Sequence, residues 1–141
     1  MARIYKKTDR IKVQIDDVTV TLAPLSLEQK QSGQSMILNG QKNKDDHSIT
    51  KGVIQFIKWS LKDISGVEDE DGKPYKLQFH NDEVSDESIS DLLNLELHPK
   101  LMTVCSALAI TIPKVFVDQN GEPLAGVELL PSKSKEASDP N

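Results

Sequence analysis

The strongest constraint in the sequence is the alternation of apolar and polar residues on both sides of Asp16-Asp17. The apolar positions occupy every second place in the two arms, which hold Ile11, Val13 and Ile15 before the turn and Val18, Val20 and Leu22 after it. In a hairpin with a two-residue loop, each of these residues pairs with its mirror image, so all six side chains lie on one face. The pattern therefore predicts a β-hairpin over 11–22 whose apolar face must be covered.

The next two elements are predicted to be helices. Ser26-Leu27-Glu28-Gln29 has the composition of a capping box after Pro24, and the helix that it opens is expected to end at Asn39-Gly40. Residues 41–48 are polar and predict an exposed loop. The best helical pattern runs from about residue 49 to residue 64, where one stripe contains Ile49, Val53, Phe56, Ile57, Leu61 and Ile64.

Trp59 lies off the apolar stripe of the helix predicted at 49–64, on the flank beyond Phe56. Such a residue either covers the edge of the core or forms an exposed anchor for a partner protein. Aromatic side chains dominate the energetics of protein interfaces. Trp59 is therefore the candidate partner-binding residue, and no catalytic, cofactor-binding or metal-binding residue is predicted.

The second half of the chain predicts two shorter helices and a hairpin. Ser85 can cap a third helix, and Pro99 fits the first turn of a fourth whose stripe holds Leu101, Val104, Cys105 and Leu108. Residues 115–130 predict an additional C-terminal hairpin. The expected fold is α+β, with the 11–22 hairpin packed on a bundle of about four helices, above all on the helix at 49–64. One domain is expected over 1–130 and a disordered tail over 131–141.

Composition restricts the function classes. The 141 residues carry a net charge of −5, which disfavours a nucleic-acid partner because phosphate contacts need a clustered positive surface. We expect no membrane partner, since no apolar run approaches the ~18 residues of a membrane span. A single cysteine and an N-terminus without an apolar stretch favour an intracellular protein.

The residues that resemble known chemical sites fail the tests of spacing. If Asp69, Asp71 and Gly72 are aligned with a calcium loop, its first and last ligand positions fall on Val67 and Gln78, which cannot supply the required oxygens. The histidines, His47, His80 and His98, lack the paired spacing of a zinc site. Cys105 lies on an apolar stripe typical of a core residue. Phosphate-loop and nucleophile-elbow motifs are absent from the sequence, so no cofactor and no enzymatic activity are expected.

Charge is distributed unevenly along the chain. Residues 1–12 are basic and residues 63–91 are rich in carboxylates. Both segments can be ordinary solvated loops. Alternatively, the basic arm at 1–10 of one copy reaches the acidic surface of the next, which together with Trp59 predicts a homo-oligomer.

The order of these elements resembles the tail assembly chaperones of long-tailed bacteriophages. A valine-rich hairpin leads into Leu-Ala-Pro-Leu-Ser-Leu-Glu-Gln at 22–29, and a helix carrying Trp59-Ser60-Leu61 precedes Val-Glu-Asp-Glu-Asp-Gly-Lys-Pro at 67–74. The resemblance covers roughly residues 11–110, and the segment after Pro113 departs from it.

The resemblance implies a non-enzymatic protein that binds the tape measure protein in the cytoplasm of a bacterial host during tail assembly. It also implies self-association, and in many members a longer form made by ribosomal frameshifting. Two alternatives remain open at this point. One is a virion structural or adaptor protein, such as a tail terminator or a head–tail joining subunit, and the other is a small inhibitor of a host enzyme.

Overall fold

The computed structural model of the chain describes residues 4–118 and 120–130, and for Leu129 and Leu130 it describes the backbone alone. The helices of this part of the chain are α1 Leu27–Lys42, α2 Asp46–Ser60, α3 Asp86–Leu92 and α4 His98–Ala107. The strands are β1 Arg10–Ile15, β2 Val18–Leu22, β3 Leu61–Ser65, β4 Phe79–His80, β5 Glu83–Val84, β6 Val115–Val117 and β7 Pro123–Leu130. The predicted α+β class is confirmed. The tail predicted at 131–141 lies outside the described residues.

The N-terminal hairpin has the predicted register. Ile15 pairs with Val18, Val13 with Val20 and Ile11 with Leu22, and the six side chains are buried. They belong to one buried cluster that also contains Phe56 and Ile57 of α2, so the hairpin and this helix share one core. Lys100 of α4 adds a 2.8 Å ion pair with Asp16 at the tip of the hairpin.

The predicted C-terminal hairpin is confirmed, and it extends the N-terminal one. β7 pairs with β6 on one side and with β1 on the other, where Arg10 lies opposite Leu130 and Val13 opposite Val127. The result is one antiparallel sheet in the order β3-β2-β1-β7-β6. The apolar hairpin is therefore an interior part of this sheet.

The prediction of a helix over 49–64 is wrong at both ends. α2 begins at Asp46, because the Asp45 carboxylate accepts the N–H groups of His47 and Ser48 at 3.1 and 3.4 Å. It ends at Ser60, and Leu61 and Ile64 belong to β3, which pairs with β2. A β-bulge lies between the pairs Leu22–Leu61 and Thr21–Asp63, so two residues three apart both reach the core. That spacing imitates a helical period.

The capping box of α1 is confirmed, but the helix ends later than predicted. Ser26 Oγ accepts the Gln29 N–H at 3.1 Å, and Gln29 Oε1 accepts the Ser26 N–H at 2.9 Å. α1 continues past Asn39-Gly40 to Lys42, so the exposed loop predicted at 41–48 shrinks to residues 43–45. Gly40 is buried inside the helix because it faces α2.

The helices predicted from Ser85 and Pro99 are confirmed as α3 and α4. Ser85 Oγ accepts the Ser88 N–H at 3.2 Å, and Pro99 lies in the first turn of α4. The predicted stripe of α4, with Leu101, Val104, Cys105 and Leu108, is buried. α3 and α4 thus complete the helical layer that covers one face of the sheet.

Candidate functional site

Helix α2 packs closely against α1 through three glycines, Gly33, Gly40 and Gly52, which we call the glycine seam. A methyl group at Gly33 would overlap the ring of Phe56, and one at Gly40 would lie 2.7 Å from Ile49 Cγ1. At Gly52 it would lie 2.7 Å from Ile37 Cγ1. The missing side chains therefore bring the two helices into direct contact, and this face of α2 is closed.

The flank of α2 that meets α4 is open. A groove of about 540 Å³ lies there, and we call it the α2/α4 groove; its lining comprises Val53, Pro99, Met102, Thr103, Ser106, Ala107 and Ile110. None of these lining side chains is ionisable. Ile110 is 77% exposed, and Val53 and Met102 are half-buried. The groove can therefore accept apolar side chains of another molecule.

The polar groups of the α2/α4 groove lie among apolar ones. Thr103 Oγ1 already donates to the carbonyl oxygen of Pro99 at 3.0 Å, so the side chain presents mainly its methyl group. Met102 brings an unbranched thioether that adapts to irregular surfaces. This combination suits non-covalent contact with an apolar surface, and none of the described lining residues brings an ionisable group beside the Ser106 and Thr103 hydroxyls.

The predicted partner-binding residue, Trp59, is half-buried at the edge of the core. Its indole N–H donates to Glu83 Oε1 at 2.8 Å, and its ring meets Phe56 edge-on with centroids 6.4 Å apart. It lines a second groove of about 880 Å³, the Trp59 groove, together with charged residues such as Arg10, Lys62 and Asp82. The indole therefore has a structural partner in its own chain, and its role in partner binding stays a prediction.

The basic arm and the acidic region meet within one copy of the chain. Lys7 and Arg10 line the Trp59 groove opposite Asp82 and Glu83. The pKa of Lys62 between them is lowered, chiefly by burial and then by the charge of Arg10, while Asp82 acts in the opposite direction. Pairing of this arm with a second copy stays a prediction.

The residues tested for metal binding do not converge. Asp69 uses Oδ1 to accept the N–H groups of Asp71 at 2.9 Å and Lys73 at 3.0 Å, which stabilises its own turn. His47 lies in α2, His80 in β4, and His98 in α4 with Nδ1 2.8 Å from the Leu95 carbonyl oxygen. Over residues 4–118 and 120–130, no three His, Cys, Asp or Glu side chains are grouped closely enough to hold a metal ion.

Cys105 is a core residue, as its position on the α4 stripe predicted. The thiol is 0% exposed, and burial raises its pKa to about 12 despite a hydrogen bond with Ser60. At neutral pH the group stays protonated and inaccessible, so it cannot serve as a nucleophile.

The sequence reasoning missed the α2/α4 groove. It identified the buried stripe of α4 but attached no role to Met102, which lies on the groove side of α4, or to Ile110, which follows the end of that helix. The sequence did contain a signal. The stripe of α4 already supplies the buried residues of that helix, so the apolar Ile110 that follows it is left without a position in the core.

Among the described residues, no helix is long and apolar enough to cross a membrane.

Comparisons of this chain with protein-family models, with curated proteins and with solved structures find no match.

Proposed function

We propose that this chain is a non-enzymatic tail assembly chaperone of a long-tailed bacteriophage, which binds the tape measure protein in the cytoplasm of its bacterial host. The structural observation that supports the proposal is the open, uncharged α2/α4 groove. The resemblance of residues 11–110 to that chaperone family supplies the identity of the client. The proposal also includes self-association of the chaperone.

The groove suits a helical client. An amphipathic helix binds such a groove by its apolar face, with anchors spaced three or four residues apart. The exposed Ile110 and the half-buried Met102 and Val53 provide the complementary apolar contacts. Because none of the described residues that line the groove is ionisable, the contact depends on apolar burial, and the client can be released when it finds a better partner during assembly.

The test is co-expression with the tape measure protein encoded by the same phage. The wild-type chain is expected to keep that protein in the soluble fraction, whereas expression of the tape measure protein alone leaves it insoluble. Ile110→Asp places a charge in the groove and should abolish this effect. A tape measure protein whose solubility does not depend on the wild-type chain would contradict the proposal.

A matched control is Leu27→Asp. Leu27 is 70% exposed, close to the 77% of Ile110, but it lies at the start of α1 and does not line the α2/α4 groove. Both variants exchange an exposed aliphatic side chain for a carboxylate, so a general effect of surface charge would appear in both. We expect client solubility to be lost only with Ile110→Asp, and equal loss in the two variants would exclude the groove as the binding site.

Trp59 provides a second readout, because it is the only tryptophan in the chain. A client helix confined to the α2/α4 groove should leave the emission of Trp59 unchanged when a tryptophan-free client peptide is added. A shift in emission would instead indicate that the client binds in the Trp59 groove, in agreement with the prediction that Trp59 is a partner-binding residue.

A further inference from the structure

Among the residues that the structure describes, strand β6 forms one end of the five-stranded sheet and pairs on one side only, with β7. Its side chains alternate, with Phe116 buried and the two flanking valines 45% and 50% exposed. An end strand of this kind presents unpaired backbone groups to any extended segment that approaches it.

The hydrogen bonds of the adjacent turn determine which backbone groups point outward. Asp118 donates its N–H to the Glu122 carbonyl oxygen at 3.0 Å, so the backbone groups of Asp118 are turned toward β7. The β-bulge between the pairs Phe116–Ala125 and Val117–Pro123 has its extra residue, Leu124, in β7, so the backbone groups of β6 still alternate in direction and those of Phe116 also point toward β7. The N–H and C=O groups of Val115 and Val117 therefore point to the open edge.

We propose that this edge pairs with β6 of a second copy, antiparallel and about a two-fold axis at Phe116. The segment Lys114-Val115-Phe116-Val117-Asp118 is complementary to itself in that register. Val115 of one copy lies opposite Val117 of the other, so their outward N–H and C=O groups meet directly. Lys114 lies opposite Asp118, which places opposite charges at both ends of the paired segment.

The other end of the sheet explains why β6 is the strand that pairs. Both end strands have a β-bulge in the ladder with their neighbour, but β3 also carries the charged side chains of Lys62 and Asp63. Charged side chains are a usual means by which end strands are kept from pairing. The three residues of β6 carry neither a charge nor a proline, and they are apolar on both faces.

The substitution Val117→Pro can block the pairing of two copies without disturbing the fold of each copy. The Val117 N–H points away from β7, so Val117→Pro removes a donor that the monomer does not use, and proline is tolerated at such positions of end strands. Circular dichroism and thermal unfolding verify that the variant is folded. Its association is then compared with that of the wild type by sedimentation velocity, from about 10 µM to about 1 mM, because short interfaces associate weakly.

We expect a concentration-dependent dimer for the wild-type chain and a monomer throughout the range for Val117→Pro. Lys114→Glu places like charges at both ends and should raise the dissociation constant roughly fivefold to tenfold. Lys51→Glu makes the same change in net charge on the exposed surface of α2 and should leave the constant unchanged. A wild-type chain that stays monomeric at about 1 mM would overturn the proposal, and so would association of Val117→Pro equal to that of the wild type. The proposal deepens the self-association included in the proposed function, but none of these measurements involves a client, so their failure would leave the proposed client binding untouched.

Discussion

Helix α2 meets its two helical neighbours in opposite ways. Against α1, the three glycines of the glycine seam have no side chain, so atoms of the two helices are in direct contact. A methyl group added at any of the three would collide with the facing helix. Against α4, the same helix leaves a groove of about 540 Å³, with an isoleucine exposed at its border. Tight packing is the ordinary state of a protein interior. The open flank is therefore the feature that a purely structural role does not explain.

The contrast teaches that stability and binding can be divided between two sides of one helix. Substitutions at the seam should lower the free energy of unfolding, whatever they do to a client. Substitutions in the groove should affect the client and leave the free energy of unfolding nearly unchanged. The predictions below test this division, and two of them compare the core side of α4 with its groove side.

The largest effect is expected at Phe56, which is 1% exposed and packs against Gly33 at the seam. Phe56→Ala should lower the free energy of unfolding by about 3–5 kcal/mol, since it removes a buried ring and leaves a cavity. Urea denaturation followed by circular dichroism measures this change. Phe79→Ala is the control, because Phe79 is 45% exposed, and its loss should cost less than about 1 kcal/mol. Equal losses for the two phenylalanines would contradict the closed seam.

A smaller loss is expected for Gly33→Ala, which overpacks the seam. Overpacking typically costs about 1–3 kcal/mol, and the better helix propensity of alanine offsets up to about 1 kcal/mol. The collision is with the Phe56 ring, so the substitution should be less costly in a Phe56→Leu background than in the wild type. A double-mutant cycle measures this coupling. Additive effects of the two substitutions would show that the ring does not limit the approach of the helices.

The third prediction concerns Cys105, on the core side of α4. Its pKa of about 12 in the folded chain lies above that of the unfolded thiol, so the unfolded chain loses its proton first as the pH rises. The free energy of unfolding should therefore be unaffected by this group below about pH 8 and should fall by about 1.4 kcal/mol per unit between about pH 9 and 12. Urea denaturation at pH 8 and pH 10 should give a steeper loss for the wild type than for Cys105→Ala. Parallel losses would mean that the thiol ionises equally well in both states.

Cysteine labelling compares the two sides of α4 directly. Ser106 lines the α2/α4 groove and is the next residue after Cys105. In a Cys105→Ala background, Ser106→Cys should react with a thiol reagent far faster than Cys105 does in the wild type, and a bound client should slow that reaction. If the bound client does not slow the labelling of Ser106→Cys, the client binds elsewhere on the chain.

The smallest change in stability is expected for Ile110→Asp. The side chain is 77% exposed, so its replacement should alter the free energy of unfolding by no more than about 0.5 kcal/mol. The same variant is expected to lose client binding, and this separation is the reason to measure both quantities on one preparation. A large loss of stability would show that Ile110 serves the fold.

The N-terminal hairpin was predictable because its alternation and its two-residue loop admit one register that buries all six apolar residues. The capping residues Ser26 and Ser85 were predictable for a similar reason, since their hydrogen bonds are local. The C-terminal hairpin was also predictable as a hairpin. Its position beside β1 was not, because that pairing joins residues more than a hundred positions apart and has no local signal.

The end of α2 shows where periodicity fails. Leu61 and Ile64 continue the spacing of the helix, and only the bulge opposite β2 allows a strand to bury both. The glycine seam could not be predicted either. Gly33 and Gly40 lower the helix propensity of α1, and the reason for glycine at these positions is the close approach of α2, which only the structure shows. The α2/α4 groove depends on which surfaces remain uncovered after folding, which the sequence does not state.

The ladder between β1 and β7 has a consequence for the synthesis of the chain. β1 pairs with β7, so Arg10 finds its place opposite Leu130 only after residue 130 has been translated. Until then, the edge of β1 that belongs to β7 stays exposed on the nascent chain. Such long-range pairing slows folding and leaves the partly made protein prone to misassociation. The chain would thus pass through a vulnerable stage on the ribosome, before residue 130 is made.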